Sequence, residues 1–230
     1  MIKKIFIPLL GLFQMGCNNR EITYDALLAS GQIWGIDLSH HQGNINWNLL
    51  SKQKPHFIFL KATEGTTHID TKYHRFKLNA KHHSINTGSY HFFNFNKDGR
   101  TQAHFFCLIA NVQKGELPPV LDVETAGHKM PPREKVTLEI LEFIETVESK
   151  TGVKPIIYCN KRFYNKYLKN YLSTDYPLWI CDYKRKPNCR WLFWQKTDKH
   201  KIPGIKGNVD FSYFNGDKEK FKRILIPKEL

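Results

Sequence analysis

Eight short runs rich in apolar, β-branched and aromatic residues recur along the chain, at 33–38, 56–61, 87–93, 120–124, 155–159, 177–182, 192–196 and 209–213. Between the early runs lie helical patterns over 71–83, 99–112, 132–150 and 161–171. Pro131-Pro132 ahead of acidic residues marks a helix start, and Gly152 after Lys150 marks a stop. Strands that alternate with crossover helices argue for a parallel α/β sheet, and eight of them for a closed barrel. The last three runs are joined by stretches too short for a ten-residue helix, which excludes a regular eightfold repeat. The expectation is one modified TIM-like β/α barrel of eight strands over 33–230, with helices reduced after the fifth strand. The basic tail at 218–228 is expected to pack as a short helix or fray.

A chain of 230 residues suits one such barrel, and 41% hydrophobic with 13% aromatic residues provides a sizeable core and excludes disorder. Residues 1–16 read as an export signal: Lys3 and Lys4 precede a mostly apolar stretch at 5–15 that is too short to span a bilayer. Gly16-Cys17 after that stretch resembles a lipoprotein processing site, although Gln14 stands where Leu is usual. Lipidation of Cys17 as the first mature residue, with membrane anchoring, is left open beside simple secretion. Residues 17–32 read as a linker, and the location as cell envelope or extracellular. Cys107, Cys159, Cys181 and Cys189 form no CxxC pair and no ligand spacing, so no metal site is expected. Cys159 and Cys181 sit in strand runs and are expected as free, small core hydrophobes.

In barrels of this kind function sits at the carboxyl ends of the strands. Asp37 ends the first run, Glu64 follows the second, Asp122 and Glu124 end the fourth, Asp182 ends the sixth and Asp210 opens the eighth. Asp122-Val123-Glu124 is the most informative piece. Residues two apart on a strand share a face, and two carboxylates beside an apolar wall raise at least one pKa. That keeps a Glu protonated as a general acid near neutral pH. Trp34, Tyr90, Phe92, Phe93, Tyr158, Trp179, Tyr183 and Trp194 gather near the same rim. Some of them are ordinary core, but carboxylates with flat rings are the chemistry of a carbohydrate cleft. The pairs His40-His41 and His82-His83 diverge in direction and are expected as surface features. A net charge of +14 favours polyanions. The lysines are spread through the chain, so nucleic acid is not the expected partner. There is no Gly-rich phosphate loop and no GxSxG elbow.

These residues resemble glycoside hydrolase family 25, the Chalaropsis-type lysozymes, over about 33–216. The resemblance runs through GIDLSHHQGNINW at 35–47, FIFLKATEG at 57–65, GSYHFF at 88–93 and LPPVLDVE at 117–124. It continues through PIIYCN at 155–160, PLWICDY at 177–183 and the segment 193–216. It implies a peptidoglycan hydrolase that cuts the β-1,4 bond between N-acetylmuramic acid and N-acetylglucosamine, with retention and without metal or organic cofactor. By position it makes Glu124 the proton donor and Asp37, Asp122 and Asp210 its acidic partners. Tyr90, Tyr158, Trp194, Gln195 and Asp182 are then expected to shape sugar subsites, and a monomer is expected. Asp122 serves either as nucleophile or by orienting the substrate's N-acetyl group, the latter being preferred. Cys181, Ser212 and Lys199-His200, in a loop position that often holds Gly, depart from the family pattern without removing a carboxylate.

Two rivals remain to be weighed. A family 18 chitinase needs Asp-x-x-Asp-x-Asp-x-Glu, and Val120 and Leu117 occupy two of its acidic places. A catalytically weak wall-binding protein on the same barrel is the non-enzymatic alternative, and retention of the four carboxylates argues against it.

Overall fold

The computed structural model describes residues 30–125 and 130–227. The expected signal at 1–16, Cys17 and most of the expected linker lie outside the described residues. The strands are β1 (Trp34–Leu38), β2 (Phe57–Glu64), β3 (His68–Ile69), β4 (Asn86–Phe92), β5 (Val120–Asp122), β6 (Ile156–Asn160), β7 (Leu178–Cys181), β8 (Phe193–His200) and β9 (Val209–Phe214). The sheet order is β1-β9-β8-β7-β6-β5-β4-β2-β3, and β1 pairs with β2 as well, which closes a barrel of eight strands. The two-residue β3 only pairs antiparallel with the end of β2.

The helices are α1 (Trp47–Lys52), α2 (Tyr73–His82), α3 (Gly99–Ala110), α4 (Arg133–Thr151), α5 (Lys161–Phe163, continued by a π turn Tyr164–Leu168) and α6 (Lys218–Arg223). They fill the first five crossovers, and none separates β7, β8 and β9. Where a helical crossover is present the next strand is parallel, from β1 through β7, and β8 also adds in parallel. Strand β9 differs from the parallel expectation, pairing antiparallel with both β8 and β1. Only eight residues link β8 to β9, too few for a crossover, so the chain returns beside β8 as a hairpin does. Lys199 and His200, expected in a loop, lie in β8, where His200 pairs with Val209.

Inward and outward positions alternate along every strand. The lower interior is filled by Phe57, Phe59, Val120, Ile156, Trp179, Phe193 and Phe214. Phe221 of α6 stacks on Phe57 and closes that end. Room for these rings comes from glycines: a Cβ on Gly35 would stand 2.3 Å from the Phe57 carbonyl oxygen, and one on Gly88 2.6 Å from the Phe59 ring. The opposite parity carries Ile58, Leu60 and Leu121 outward under the helices, where Phe106, Ile140 and Phe143 are fully buried. Cys159 is buried, and all four cysteines among the described residues are free thiols.

His91 is the one polar ring at the centre of this outer layer. Its Nε2 donates to Gln102 Oε1 at 3.2 Å, which leaves Nδ1 to accept from Thr63 Oγ1 at 2.8 Å. Stacked on Phe143 and fully buried, it has its pKa pushed down from 6.5 to about 4 by desolvation. The unfolded chain therefore takes up this proton first, so stability falls as the pH drops from about 6.5 towards 4. The expected loss is about 3 kcal/mol at the acid end of that window. Urea unfolding of wild type and His91→Gln at pH 7 and pH 4.5 checks it. The stability gap between the two proteins should narrow by about 2 kcal/mol or more at the lower pH, and a constant gap would refute the assignment.

Candidate active site

The carboxyl ends of the strands open on a cleft of about 290 Å³. Strand β5 is only three residues long, because Pro118-Pro119 enter it and its ladder to β4 and β6 ends at Asp122, in register with Phe92 and Tyr158. The next backbone amide, Val123, still donates to Tyr158 O at 3.0 Å, which carries Glu124 just past the rim on the same face as Asp122. On the far side the antiparallel β1–β9 register sets Asp37 directly opposite Asp210. All four carboxylates line the cleft, together with Tyr90, Tyr158 and Gln195. Seven of the nine residues singled out from sequence are thus brought to one place.

Electrostatics follow from that crowding. Burial, and then the charge of Asp210, hold Asp37 well above the usual carboxylate range. Gln195 donates to Asp37 Oδ2 at 3.0 Å, which opposes part of that rise. Asp210 is raised by burial, and a hydrogen bond with Asp37 offsets part of that rise. Like charges directly opposite on neighbouring strands would otherwise repel. Asp122 is raised well above its ordinary value by burial and then by Glu124, and its Oδ1 is buried without a hydrogen-bond partner. Glu124 is raised chiefly by burial, against a lowering effect of the Tyr158 hydroxyl. Tyr158 and Tyr183 both donate to Gln195 Oε1, at 2.8 and 2.9 Å, so Gln195 is locked with its amide aimed at Asp37.

Two expected subsite residues are corrected. Trp194 does not line the cleft: Gln195 points in, and adjacent residues on a strand point to opposite faces. Its indole lies on the outer wall and donates to Asp182 O at 2.8 Å. The Asp182 side chain is turned into the following loop, where Oδ1 accepts from the amides of Lys184 and Arg185 in an Asx turn.

Four cleft residues go beyond those expected to shape the site: Ser39, His41, Gln42 and Lys61. Ser39 and Gln42 cap each other around a 3-10 turn that brings His41 to the rim. The pair His40-His41 is therefore more than a surface feature, since His40 Nδ1 is also held at 2.6 Å from the buried Asp70. Lys61 is the cation of the site, bonded to Glu64 Oε2 at 2.7 Å and lying over the Phe92 ring. Its signal in the sequence is a lone charge inside the apolar run at 57–62. Among the described residues no group of three or more His, Cys, Asp or Glu is arranged to hold a metal ion.

A closed β/α barrel with acidic side chains from several strands gathered at one mouth has the form of a barrel glycoside hydrolase. Residues 36–205 match the model of glycosyl hydrolases family 25. The chain is 35% identical over 203 residues to the YegX protein of Escherichia coli (strain K12), covering 84% of this chain and 74% of that one. It is 28% identical over 218 residues to Lysozyme M1 of Streptomyces globisporus, covering 88% and 74%. The structure of a family 25 glycosyl hydrolase from Bacillus anthracis aligns with a TM-score of 0.78 at 34% identity, covering 85% of this chain and 94% of that one. The chain belongs to glycosyl hydrolase family 25 and is a glycoside hydrolase of the lysozyme class.

Proposed function

We propose that the protein is a muramidase that hydrolyses the β-1,4 bond between N-acetylmuramic acid and N-acetylglucosamine in peptidoglycan. The observation that carries this is the meeting of Asp37, Asp122, Glu124 and Asp210 in one cleft, where burial raises the pKa of Glu124. Glu124 gives its proton to the glycosidic oxygen as the bond to C1 breaks through an oxocarbenium-like transition state. The unpartnered Oδ1 of Asp122 accepts from the N–H of the substrate's acetamido group. That turns the acetamido carbonyl oxygen onto C1, where it forms a cyclic oxazolinium. Water then attacks C1, Glu124 takes back a proton, and the configuration is retained. Asp37 and Asp210, opposite each other and braced by Gln195, hold sugar hydroxyls. Tyr90 and Tyr158 line the same cleft, where Tyr158 holds Gln195 in place beside these sugars. Export through residues 1–16 to the envelope or medium belongs to the same proposal, because the substrate lies outside the cytoplasm.

Purified peptidoglycan incubated with the protein tests the reading. Release of soluble disaccharide-peptides is expected. Tight sedimentation with the wall and no release would favour the wall-binding alternative instead.

A further inference from the structure

We propose that the outer wall of the β8–β9 hairpin is a second glycan-binding surface, formed by Trp191, Trp194 and Tyr213 between Lys186 and Lys196, which holds a peptidoglycan strand alongside the cleft. The inference rests on the muramidase reading and adds a site to it.

Strand parity puts Trp194 and Tyr213 outside the barrel, and Trp191, just ahead of β8, packs against Trp194. Phe193 and Phe214 belong to the interior core, Gln195 lines the cleft, and Ser212 accepts inside from Trp179 Nε1 at 3.1 Å. Trp194 and Tyr213 lie between those inward residues and therefore face out, directly paired across the two strands. Their rings stand 5.7 Å apart, and Trp191 follows at 6.1 Å from Trp194. All three are half-buried. No described helix packs along β7, β8 or β9 as helices do along β2 and β4. The Trp194 indole is pinned to the Asp182 carbonyl, so the strip is fixed before any ligand arrives.

The chemistry of the strip selects its occupant. The three rings form a close row, tilted 65° and 43° to one another, that offers apolar surface to successive sugars. Lys186 lies 5.5 Å over Trp191 and Lys196 5.7 Å over Tyr213, which places cations at both ends of the row. Residues 182–201 carry seven Lys or Arg against two Asp. Such a field attracts the carboxylates of peptide stems borne by a peptidoglycan strand. Across the sheet, Trp194 backs onto the cleft residue Gln195, and its anchor Asp182 neighbours Tyr183, which donates to Gln195.

The test uses full-length protein carrying Glu124→Gln, so that wall is bound but not consumed, and compares it with the same protein also carrying Trp191→Ala and Tyr213→Ala. Co-sedimentation with purified peptidoglycan sacculi should weaken about tenfold or more in the second protein, the scale expected when anchoring rings are truncated. With Glu124 intact, the two alanine substitutions should leave turnover of a soluble peptidoglycan oligosaccharide within about twofold of wild type. They should slow the solubilisation of sacculi. Unchanged co-sedimentation overturns the second surface while the muramidase reading stands. An equal loss on the soluble substrate also overturns it, because the rings would then act through the cleft or the fold. A wild-type protein that neither cuts nor binds sacculi removes the muramidase reading and this surface with it.

Discussion

Glu124→Gln is expected to lower the release of soluble fragments from peptidoglycan at least about 100-fold, the low end of what a positioned general acid contributes. The amide keeps the size of the acid and its place past the end of β5, so the fold and glycan binding should persist. What it lacks is the proton. Burial raises the Glu124 pKa, which favours the protonated form a general acid needs. Activity should fall as the pH climbs through the Glu124 pKa, and this basic limb should be missing from any residual activity of the variant. Glu134→Gln, in the first turn of α4, should be nearly silent by the same assay.

Asp122→Asn should also cost at least about 100-fold in activity, on the scale of losing a preorganised polar contact to the reacting groups. Asparagine keeps a carbonyl oxygen but loses the charge that balances the developing positive acetamido group. The same change should stabilise the protein. Asp122 is buried next to Glu124, and its folded pKa is raised well above its unfolded value. Such a group favours folding below its unfolded pKa and loses that contribution as pH rises through the folded one. Removing the charge should therefore add about 0.5–2 kcal/mol near pH 7, as in other traded active-site substitutions, and close to nothing near pH 4. Urea midpoints at the two pH values measure this. A variant less stable than wild type at pH 7 would mean that Asp122 is paired in a way the geometry does not provide.

The strands were legible because each buries one face in the barrel, and β2 and β4 bury the other under helices, so their apolar runs stand out even where β5 has only three ladder residues. Pro131-Pro132 and Gly152 bracketed α4 for local reasons: the proline fits the helix start, and Gly152 closes it with φ 72°. The six-residue α1 and the two-residue β3 are too short for a period to emerge. The direction of β9 depends on how the chain returns after β8, which no side-chain pattern records. Within the site, the carboxylates were readable because they fall at strand ends. Trp194 was misplaced although the alternation rule decides it, since Trp194 and Gln195 are neighbours on one strand and cannot share a face. Lys61 and His41 reach the cleft through the long inward stem of one and the 3-10 turn around the other, and both are contacts of folding rather than of sequence.

The most direct measurement is the identity of the sugar at each newly formed reducing end. Peptidoglycan digested by the wild-type protein is reduced with borohydride, and the products are analysed by mass spectrometry. Cleavage by the four-carboxylate cleft as proposed leaves reduced N-acetylmuramic acid at the new ends. New ends carrying reduced N-acetylglucosamine, or soluble fragments with no newly reduced sugar at all, would contradict it.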